Sequence, residues 1–288
     1  MTKLKAVKPT QAKKEKPKIL VFGKAGVGKT WGALDFPSVY YIDTEGGATE
    51  QKYVDKLLNS GGVYFGKEQG SQSFETVIEQ IKALSTEKHG FKTVIIDSFT
   101  KLFDIEVANE VERLTAAKTP IAYGIEKKSA VKLTKRLIAW FDKLDMNVIL
   151  ICHSKNEYVK GESIGFTFDG YEKLEYELHL CLEISKQGNS RKAFIRKTRL
   201  EGFPDAKVFE WSYSTFAEMM GKELLESEAV PAILATPEQI AKVKKLLENI
   251  KLGDSAGDKR IEEVKDNLEE IESDKIEKII TYLQNKTI

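Results

Sequence analysis

The sequence predicts an α/β fold with a mostly parallel central sheet, a β-hairpin extension and a small helical module at the C-terminus. The first observation is that short apolar runs of strand length alternate with stretches of helical periodicity through the first half of the chain. Strands buried on both faces of a parallel sheet have such continuous apolar runs. The second observation is a hairpin pattern in the second half, followed by three helical segments. Ligands of parallel sheets bind at the carboxyl ends of the strands, so functional residues are expected there.

The individual elements are predicted in chain order from apolar runs, helical periodicity and turn residues. Strands are predicted at 18–22, 39–43, 63–65, 93–97 and 147–153, with helices at 48–59, 73–84, 99–115 and 125–144. Residues 154–173 are glycine-rich and polar without a period, which predicts an irregular segment. Then come a hairpin over 177–185 and 191–197, a strand near 207–211, and helices near 214–220, 237–250, 257–270 and 273–285.

Four parts of the chain are distinguished by composition: a basic flexible arm at 1–17, a core at 18–220, a linker at 221–235 and a small helical domain at 236–288. Residues 1–18 carry seven lysines against one glutamate. Such an arm is either a solvated tail or a binder of nucleic-acid phosphate. The helical domain begins at Thr236-Pro237-Glu238-Gln239, an N-cap candidate followed by proline in the first turn.

Composition also excludes some classes of protein. No apolar stretch approaches the ~20 residues that a membrane span needs, and the lysine-rich N-terminus lacks the apolar region of a signal peptide. The two cysteines, Cys152 and Cys181, lie in apolar runs without metal-ligand spacing, which predicts buried free thiols. We therefore expect a protein of a reducing cytoplasm, with no membrane partner.

A phosphate-binding loop is predicted at Gly23-Lys24-Ala25-Gly26-Val27-Gly28-Lys29-Thr30. This segment matches G-x-x-x-x-G-K-[ST] between an apolar strand and a helix. The glycines allow backbone N–H groups to surround phosphate oxygens. Lys29 is expected to contact the β- and γ-phosphates, and the Thr30 hydroxyl to hold Mg²⁺. The loop predicts nucleotide binding.

Three residues after strands are candidates for chemistry beside this loop. Asp97 closes an apolar strand and is expected to coordinate Mg²⁺, the alternative being a cap for the next helix. Glu45 follows the second strand and is expected to activate a water molecule, or else is an ordinary loop carboxylate. His153 is equally compatible with sensing the γ-phosphate and with a structural role at a strand end.

The predicted hairpin and the segment before it offer further candidates. Lys197 and Arg199 are two residues apart on a strand, so both side chains are expected on one side, where they could act on a phosphate bound by a neighbouring subunit. The alternative is a solvated pair of strand charges. Aromatic residues within 154–173, among them Phe166, Phe168 and Tyr171, could stack on unpaired bases or simply pack the segment onto its domain.

In order and spacing, these motifs resemble the ATPase core of RecA-like recombinases. Ile42-Asp43-Thr44-Glu45-Gly46 resembles the segment with the family's catalytic glutamate, and Ile95-Ile96-Asp97-Ser98 its Walker B strand. The resemblance covers roughly residues 18–212 and is greatest to core-only phage recombinases of the Sak (single-strand-annealing) type. The C-terminal helices resemble small modules on phage recombination proteins.

The resemblance implies ATP at Gly23–Thr30, Mg²⁺ at Thr30 and Asp97, and a water-activating Glu45. It implies that His153 stands where many members have a glutamine or asparagine that couples nucleotide to DNA. It also implies DNA contacts at 113–124 and 154–173, and that Lys197 and Arg199 are trans-acting cations of a ring or filament.

We therefore expect a P-loop ATPase, DNA-stimulated, that binds single-stranded DNA and promotes annealing or strand exchange in the host bacterial cytoplasm of a phage. A homo-oligomer is the expected assembly, with single-strand-binding protein as a further candidate partner. The alternative is a nucleotide-dependent DNA-binding or loading module with little turnover that recruits a replication partner through 236–288. A nucleotide kinase is the third candidate, although nothing resembles a lid for a phosphate acceptor.

Overall fold

The computed structural model describes residues 14–47, 50–159 and 161–286. It divides the chain into two compact units. The first comprises the described residues up to Ala83 together with His89–Ala229, and the second Leu84–Lys88 together with the described part of Val230–Ile288. The predicted domain boundaries stay a prediction, and residues 1–13 of the predicted arm lie outside the described residues. Within the described ranges, no helix has the length and apolar character to cross a bilayer.

The first unit is built on an eight-stranded sheet. In chain order the strands of this unit are β1 (Lys18–Phe22), β2 (Val39–Asp43), β3 (Val63–Phe65), β4 (Thr93–Asp97), β5 (Asn147–Cys152), β6 (Ser154–Val159), β7 (Glu162–Phe168), β8 (Leu180–Gln187), β9 (Ser190–Thr198) and β10 (Val208–Glu210). The sheet order is β10-β9-β8-β1-β5-β4-β2-β3. Neighbours from β3 to β8 pair in parallel, and β8-β9 and β9-β10 pair antiparallel. The predicted fold class is thereby confirmed, including the hairpin extension.

The register of the central strands brings the predicted site residues to one edge. β5 lies between β1 and β4, with Phe22 opposite Cys152 and Asp97 opposite Ile151. Every residue of β1 and β5 is buried, which is why their sequences are apolar runs rather than alternating patterns. The segments that follow β1, β2, β4 and β5 therefore meet at the carboxyl edge of the sheet.

Helices cover the sheet and connect its strands. They are α1 (Lys29–Ala33), α2 (Gln51–Asn59), α3 (Phe74–Thr86), α4 (Phe99–Ala116), α5 (Lys128–Phe141), α6 (Leu174–Glu177), α7 (Tyr213–Met220) and α8 (Lys222–Glu226), with short 3₁₀ turns at Lys67–Gln69 and Ile125–Lys127. The buried face of α5 includes Trp140, which is fully buried. The predicted start of α3 near residue 73 is confirmed, with the Ser73 hydroxyl accepting the Thr76 N–H at 3.2 Å.

The prediction of an irregular segment at 154–173 is wrong for most of its length. β6 and β7 form an antiparallel hairpin there, with Ser154 opposite Phe168 and a register shift after Glu157. A two-stranded ribbon outside the main sheet is exposed on much of both faces, so its sequence needs no apolar alternation. The segment therefore lacks the period by which strands are predicted.

Two smaller differences concern the predicted arm and linker. Lys16, within the predicted flexible arm, is buried, and its Nζ donates to the carbonyl oxygens of Asp145, Ser227 and Glu228 at 2.8–3.1 Å. The predicted linker contains α8 in its first part. A lysine with three carbonyl partners is anchored, so the ordered core begins before the first strand.

The second unit is a small helical body. Its helices are α9 (Pro237–Glu248), α10 (Ala256–Val264) and α11 (Ser273–Gln284), with a 3₁₀ turn at Lys265–Glu270. The predicted N-cap Thr236 is confirmed at the start of α9, and the structure adds a reciprocal capping box between Thr236 and Gln239. The buried core of this unit includes Val243, Ile261, Ile276 and Ile280. Its three helices are confirmed, although the second ends earlier than predicted.

Candidate active site

The phosphate loop connects β1 to α1 through glycines in the left-handed region of backbone conformation. Gly26 and Gly28 have φ values of 75° and 93°, which residues with a Cβ rarely adopt. At Gly23, a Cβ would lie 2.4 Å from the carbonyl oxygen of Ile184 on the adjacent β8. The loop is thus fixed both by backbone conformation and by close approach of the neighbouring strand.

Lys29 folds back over this loop. Its Nζ donates to the carbonyl oxygens of Gly23 at 2.8 Å and Lys24 at 3.1 Å. Burial lowers the pKa of Lys29, and the nearby Asp97 and Glu45 carboxylates oppose that shift. The ammonium group is therefore held over the loop by weak carbonyl partners, which an anionic oxygen can replace.

Thr30 and Asp97, the predicted metal ligands, are in direct contact. The Thr30 hydroxyl donates to Asp97 Oδ2 at 2.5 Å, and the Tyr41 hydroxyl donates to the same oxygen at 2.9 Å. Loss of solvent around the Asp97 carboxyl raises its pKa to about 6, and these two hydrogen bonds oppose the rise. A divalent cation would favour the ionised form, and hydroxyl and carboxylate oxygens are ligands that Mg²⁺ prefers. The pair fits the predicted metal.

The alternative role of Asp97 as a helix cap is wrong. The N-cap of α4 is Ser98, whose Oγ accepts the Lys101 N–H at 3.1 Å. Within the described ranges, no group of three or more His, Cys, Asp or Glu side chains is placed to hold a metal ion. A metal at Thr30 and Asp97 would thus take further ligands from nucleotide and water.

Glu45 and His153 meet at the same edge of the sheet. His153 Nε2 lies 2.5 Å from Glu45 Oε1, and the Ser98 hydroxyl donates to the same oxygen at 2.5 Å. The hydrogen bond from His153, helped by that from Ser98, lowers the pKa of Glu45 to about 2. The Glu45 carboxylate in turn raises the pKa of His153. The two side chains therefore form a close hydrogen-bonded pair across the pocket.

The backbone at Glu45 is positioned by Asp43, which the sequence did not single out. Asp43 Oδ1 accepts the N–H groups of Glu45 and Gly46 at 2.9 and 2.7 Å, and its Oδ2 accepts the Tyr64 hydroxyl at 3.1 Å. An aspartate that binds backbone N–H groups two and three residues ahead fixes a turn. The Asp-x-Glu-Gly spacing was the available sequence signal for this role.

One pocket brings most of the predicted residues together. It has a volume of about 410 Å³. The site residues that line it are Gly23, Ala25, Gly26, Lys29, Thr30, Glu45, Asp97 and His153. The structure thus places the loop, both predicted metal ligands, the predicted base and the predicted sensor around one volume.

Lys197 and Arg199 are not part of this pocket. The Lys197 ammonium donates to the Leu178 carbonyl and the Arg199 guanidinium to the Tyr176 carbonyl. Burial, and then the neighbouring Arg199 charge, lower the pKa of Lys197. Both cations thus bind carbonyl groups of the same short segment, 176–178. Their action on a neighbouring subunit stays a prediction.

Comparison with known proteins identifies a family for the part of the chain that carries this pocket. No curated protein matches the chain significantly. Among solved structures, a crystal structure of the RadB recombinase matches with 18% identity and a TM-score of 0.45, covering 67% of this chain and 86% of that chain. The model of a family described as an AAA domain matches residues 15–200, which contain the phosphate loop, Glu45, Asp97 and His153. Membership of this family implies nucleotide binding, and since the match spans well over half of the sequence, the chain belongs to the AAA domain family.

Proposed function

We propose that the chain is a Mg²⁺-dependent ATPase that binds single-stranded DNA and promotes annealing or strand exchange, as a phage recombination protein of the Sak type. The observation that carries the ATPase part is that Lys29, Thr30, Glu45, Asp97 and His153 line the same pocket of about 410 Å³. Phosphoryl transfer depends on positioning and charge stabilisation, and this set supplies a cation, metal ligands and a base. Buried Cys152 and Cys181 fit action in a reducing bacterial cytoplasm.

In this proposal the nucleotide phosphates bind over the glycine loop. Lys29 exchanges its Gly23 and Lys24 carbonyl partners for β- and γ-phosphate oxygens, a change that replaces neutral hydrogen bonds by charged ones. Thr30 and Asp97 would hold Mg²⁺, which neutralises charge on the β- and γ-phosphates when bound. Tyr41 keeps the Asp97 carboxylate in place.

Glu45 is the proposed base that orients the attacking water. While His153 and Ser98 hold Glu45 Oε1, its pKa is about 2 and the carboxylate is a weak proton acceptor. Movement of His153 away from Glu45 would raise the basicity of the carboxylate and free it for water. Hydrolysis is therefore proposed to be slow as long as His153 stays hydrogen-bonded to Glu45.

The proposed DNA-binding surface is joined directly to His153. The hairpin β6-β7 begins at the next residue, and Tyr158 and Ile164 on it are 61% and 58% exposed. Tyr123, in the segment 113–124, is fully exposed. Base stacking on exposed aromatic side chains is a common mode of binding to single strands. DNA bound to the hairpin would act on the His153–Glu45 pair, which accounts for the proposed stimulation of hydrolysis.

Two of the predicted stacking residues are better explained by contacts within the protein. Phe168 is 5% exposed, and its ring lies 6.2 Å from that of Phe22. Phe166 lies under Lys24 of the phosphate loop, with Nζ 4.3 Å from the ring centroid. Phe168 is therefore assigned to the core, and Phe166 to contact between the hairpin and the loop.

The direct test of the proposed function is ATP hydrolysis with Mg²⁺, measured with and without single-stranded DNA. We expect slow hydrolysis alone and faster hydrolysis with DNA. The same assay with double-stranded DNA serves as the control for strand preference. Absence of ATP binding by the wild-type protein would overturn the proposal.

Replacing Tyr158 or Tyr123 with alanine is expected to weaken binding to single-stranded DNA. Stacking contributes about 1–3 kcal/mol per base, so each true contact should raise the dissociation constant by roughly five-fold or more. Fluorescence anisotropy with a labelled oligonucleotide measures the change. Tyr176→Ala is the matched control, because Tyr176 is 63% exposed but lies outside both segments. Unchanged affinity in both test variants would place the DNA site elsewhere.

A loading module with little turnover is the second candidate function. The observation that favours it is the hydrogen bonding of Glu45 Oε1 to both His153 and Ser98, so that this oxygen of the proposed base is already occupied. In this case the C-terminal helices would recruit a replication partner such as a single-strand-binding protein. This candidate would be selected if the protein binds DNA only when ATP is present and hydrolyses no ATP, whether or not DNA is added.

The protein is proposed to form a homo-oligomer. In it, Lys197 and Arg199 of one subunit would complete the ATP site of the neighbouring subunit. Arg199→Ala is expected to keep ATP affinity while losing turnover, since loss of a cation supplied in trans typically costs about 10³–10⁵ in rate. Mixing Arg199→Ala with Lys29→Ala protein should partly restore hydrolysis, because an intact loop can then meet an intact cation. Lys207→Ala, an exposed cation after the hairpin, is the control. A specific rate independent of concentration, from a monomer, would contradict this prediction.

A further inference from the structure

The hairpin β6-β7 lies against the phosphate loop through two aromatic residues of β7. Phe166 and Phe168 are two residues apart on the strand, so their side chains project from the same face. The Phe168 ring lies 6.2 Å from that of Phe22, the last residue of β1, and the centroid of the Phe166 ring lies 4.3 Å from Lys24 Nζ. One face of β7 therefore follows the chain from the end of β1 into the loop.

The base of the hairpin is firmly attached to the first turn of α4. The Thr100 hydroxyl accepts the His153 N–H at 2.9 Å and donates to the Asp169 carbonyl oxygen at 2.6 Å. The Asp169 N–H in turn donates to the His153 carbonyl oxygen at 2.9 Å. Because Thr100 is buried, these hydrogen bonds are shielded from water. They fix both ends of the hairpin to the core.

Beyond its base, the hairpin is held by weaker contacts. Glu157 of β6 forms an ion pair with Arg196 at 3.3 Å, but both side chains are partly exposed, and such pairs contribute little. On β7, Phe166 contacts Lys24, which is exposed as well. A cation–π contact at an exposed site is also weak. The position of the outer part of the hairpin therefore depends on contacts that a competing partner can replace.

The Lys24 ammonium group lies beside the proposed phosphate site. Its neighbours in sequence, Gly23 and Ala25, line the pocket of about 410 Å³. Within the ranges 14–47, 50–159 and 161–286, the structure shows the Phe166 ring as a partner of this ammonium and no ion pair. A charged hydrogen bond to a phosphate oxygen is stronger than an exposed contact with an aromatic ring. A phosphate in the pocket would therefore draw Lys24 away from Phe166.

We propose that the Lys24–Phe166 contact holds the hairpin against the loop before a nucleotide binds, and that the nucleotide phosphates break this contact by binding the Lys24 ammonium. The base of the hairpin stays attached through Thr100, so only its outer part becomes mobile. Loss of the contact also uncovers one face of the Phe166 ring, on the segment proposed to bind DNA. This inference rests on the proposed nucleotide-binding function and gives a regulatory role to a loop position that the phosphate-loop motif leaves variable.

Electron paramagnetic resonance of a nitroxide attached to Ile164→Cys measures the mobility of the hairpin in the full chain. Ile164 is 58% exposed on β7, whereas Cys152 and Cys181 are buried, so the introduced thiol is the reactive one. The label should become more mobile when inorganic tripolyphosphate with Mg²⁺, or ATP with Mg²⁺, is added at saturation. Tripolyphosphate supplies phosphates without a nucleoside, so its effect is assigned to the phosphate site.

Two variants of the labelled protein each remove one side of the contact and keep an apolar side chain in its place. Phe166→Leu and Lys24→Met should both show the mobile spectrum without ligand and no further change when ligand is added. Lys222→Met, which removes an exposed lysine of α8, is the matched control and should respond as the wild type does.

Calorimetric binding of tripolyphosphate gives a second measurement, with opposite signs for the two variants. Phe166→Leu should bind this ligand about two- to five-fold more tightly than the wild type, because the ligand no longer has to break the contact. Lys24→Met should bind it about tenfold more weakly, since a charged hydrogen bond to phosphate is lost. A purely structural role of the contact would instead weaken binding in both variants.

The outcomes separate this inference from the proposed function. A wild-type protein that binds tripolyphosphate or ATP without a change in label mobility would overturn the inference and leave the proposed function standing. Ligand-induced mobility that persists in Lys24→Met, or tripolyphosphate binding by Phe166→Leu that is no tighter than that of the wild type, would also overturn the inference alone. A wild-type protein that binds neither ligand would overturn the proposed function together with the inference.

Discussion

Glu45→Gln is expected to lower the rate of ATP hydrolysis by roughly two or more decades, the size of a general-base contribution. The amide cannot accept the proton of the attacking water, whereas Lys29, Thr30 and Asp97 are untouched and should keep ATP affinity near that of the wild type. Single-turnover hydrolysis and equilibrium ATP binding, measured on the same preparation, separate the two effects. The rate should be compared in the presence of single-stranded DNA, where Glu45 is proposed to be free of His153.

Glu68→Gln is the control for this substitution, because Glu68 is an exposed carboxylate in the 3₁₀ turn after β3. It should hydrolyse ATP at the wild-type rate. Equal turnover in Glu45→Gln and the wild type would remove Glu45 from the mechanism. Reduced ATP affinity together with reduced turnover would instead indicate that the pair with His153 shapes the binding pocket.

Lys29→Ala is expected to abolish detectable hydrolysis and to weaken ATP binding by roughly 10- to 100-fold, the range for a lost charged hydrogen bond. The physical reason is that Lys29 is the ammonium group that folds over the loop, and its loss would leave the β- and γ-phosphates with the backbone N–H groups and the proposed Mg²⁺ as partners. Calorimetric titration with ATP and a phosphate-release assay measure the two effects.

A matched lysine variant distinguishes this effect from a general loss of positive charge. Lys132 is exposed on α5, and Lys132→Ala should leave both ATP affinity and turnover unchanged. ATP bound to Lys29→Ala as tightly as to the wild type would show that the loop lysine does not contact the phosphates.

Several features of the fold and site are predictable because they depend on neighbours in sequence. β1, β4 and β5 are predicted because each is an apolar run buried on both faces. The loop 23–30 is predicted because its glycines and Lys29 belong to one contiguous sequence motif. The parallel pairing of those strands then requires Asp97 and His153 to reach the same edge as the loop. No distant contact is needed for these conclusions.

Other features depended on contacts between residues far apart in sequence. Ser98 and His153 both bind Glu45 Oε1, and they come from segments more than fifty residues away from it. Arg191 lies on Gly28 only because β8 and its hairpin partner lie beside β1. The hairpin β6-β7 was not predicted, because a ribbon with two exposed faces needs no regular alternation of apolar and polar residues.

The sequence by itself thus determined the α/β class, the order along the chain of the strands in the eight-stranded sheet, the phosphate loop and the candidate residues at the strand ends, because local pattern and parallel pairing are sufficient for each. Only the tertiary structure decided that Ser98 rather than Asp97 caps α4, that Glu45 is held by His153, and that Arg191 approaches the loop in cis. The physical reason is that strand register and side-chain contact bring together groups whose separation along the chain carries no signal of their proximity.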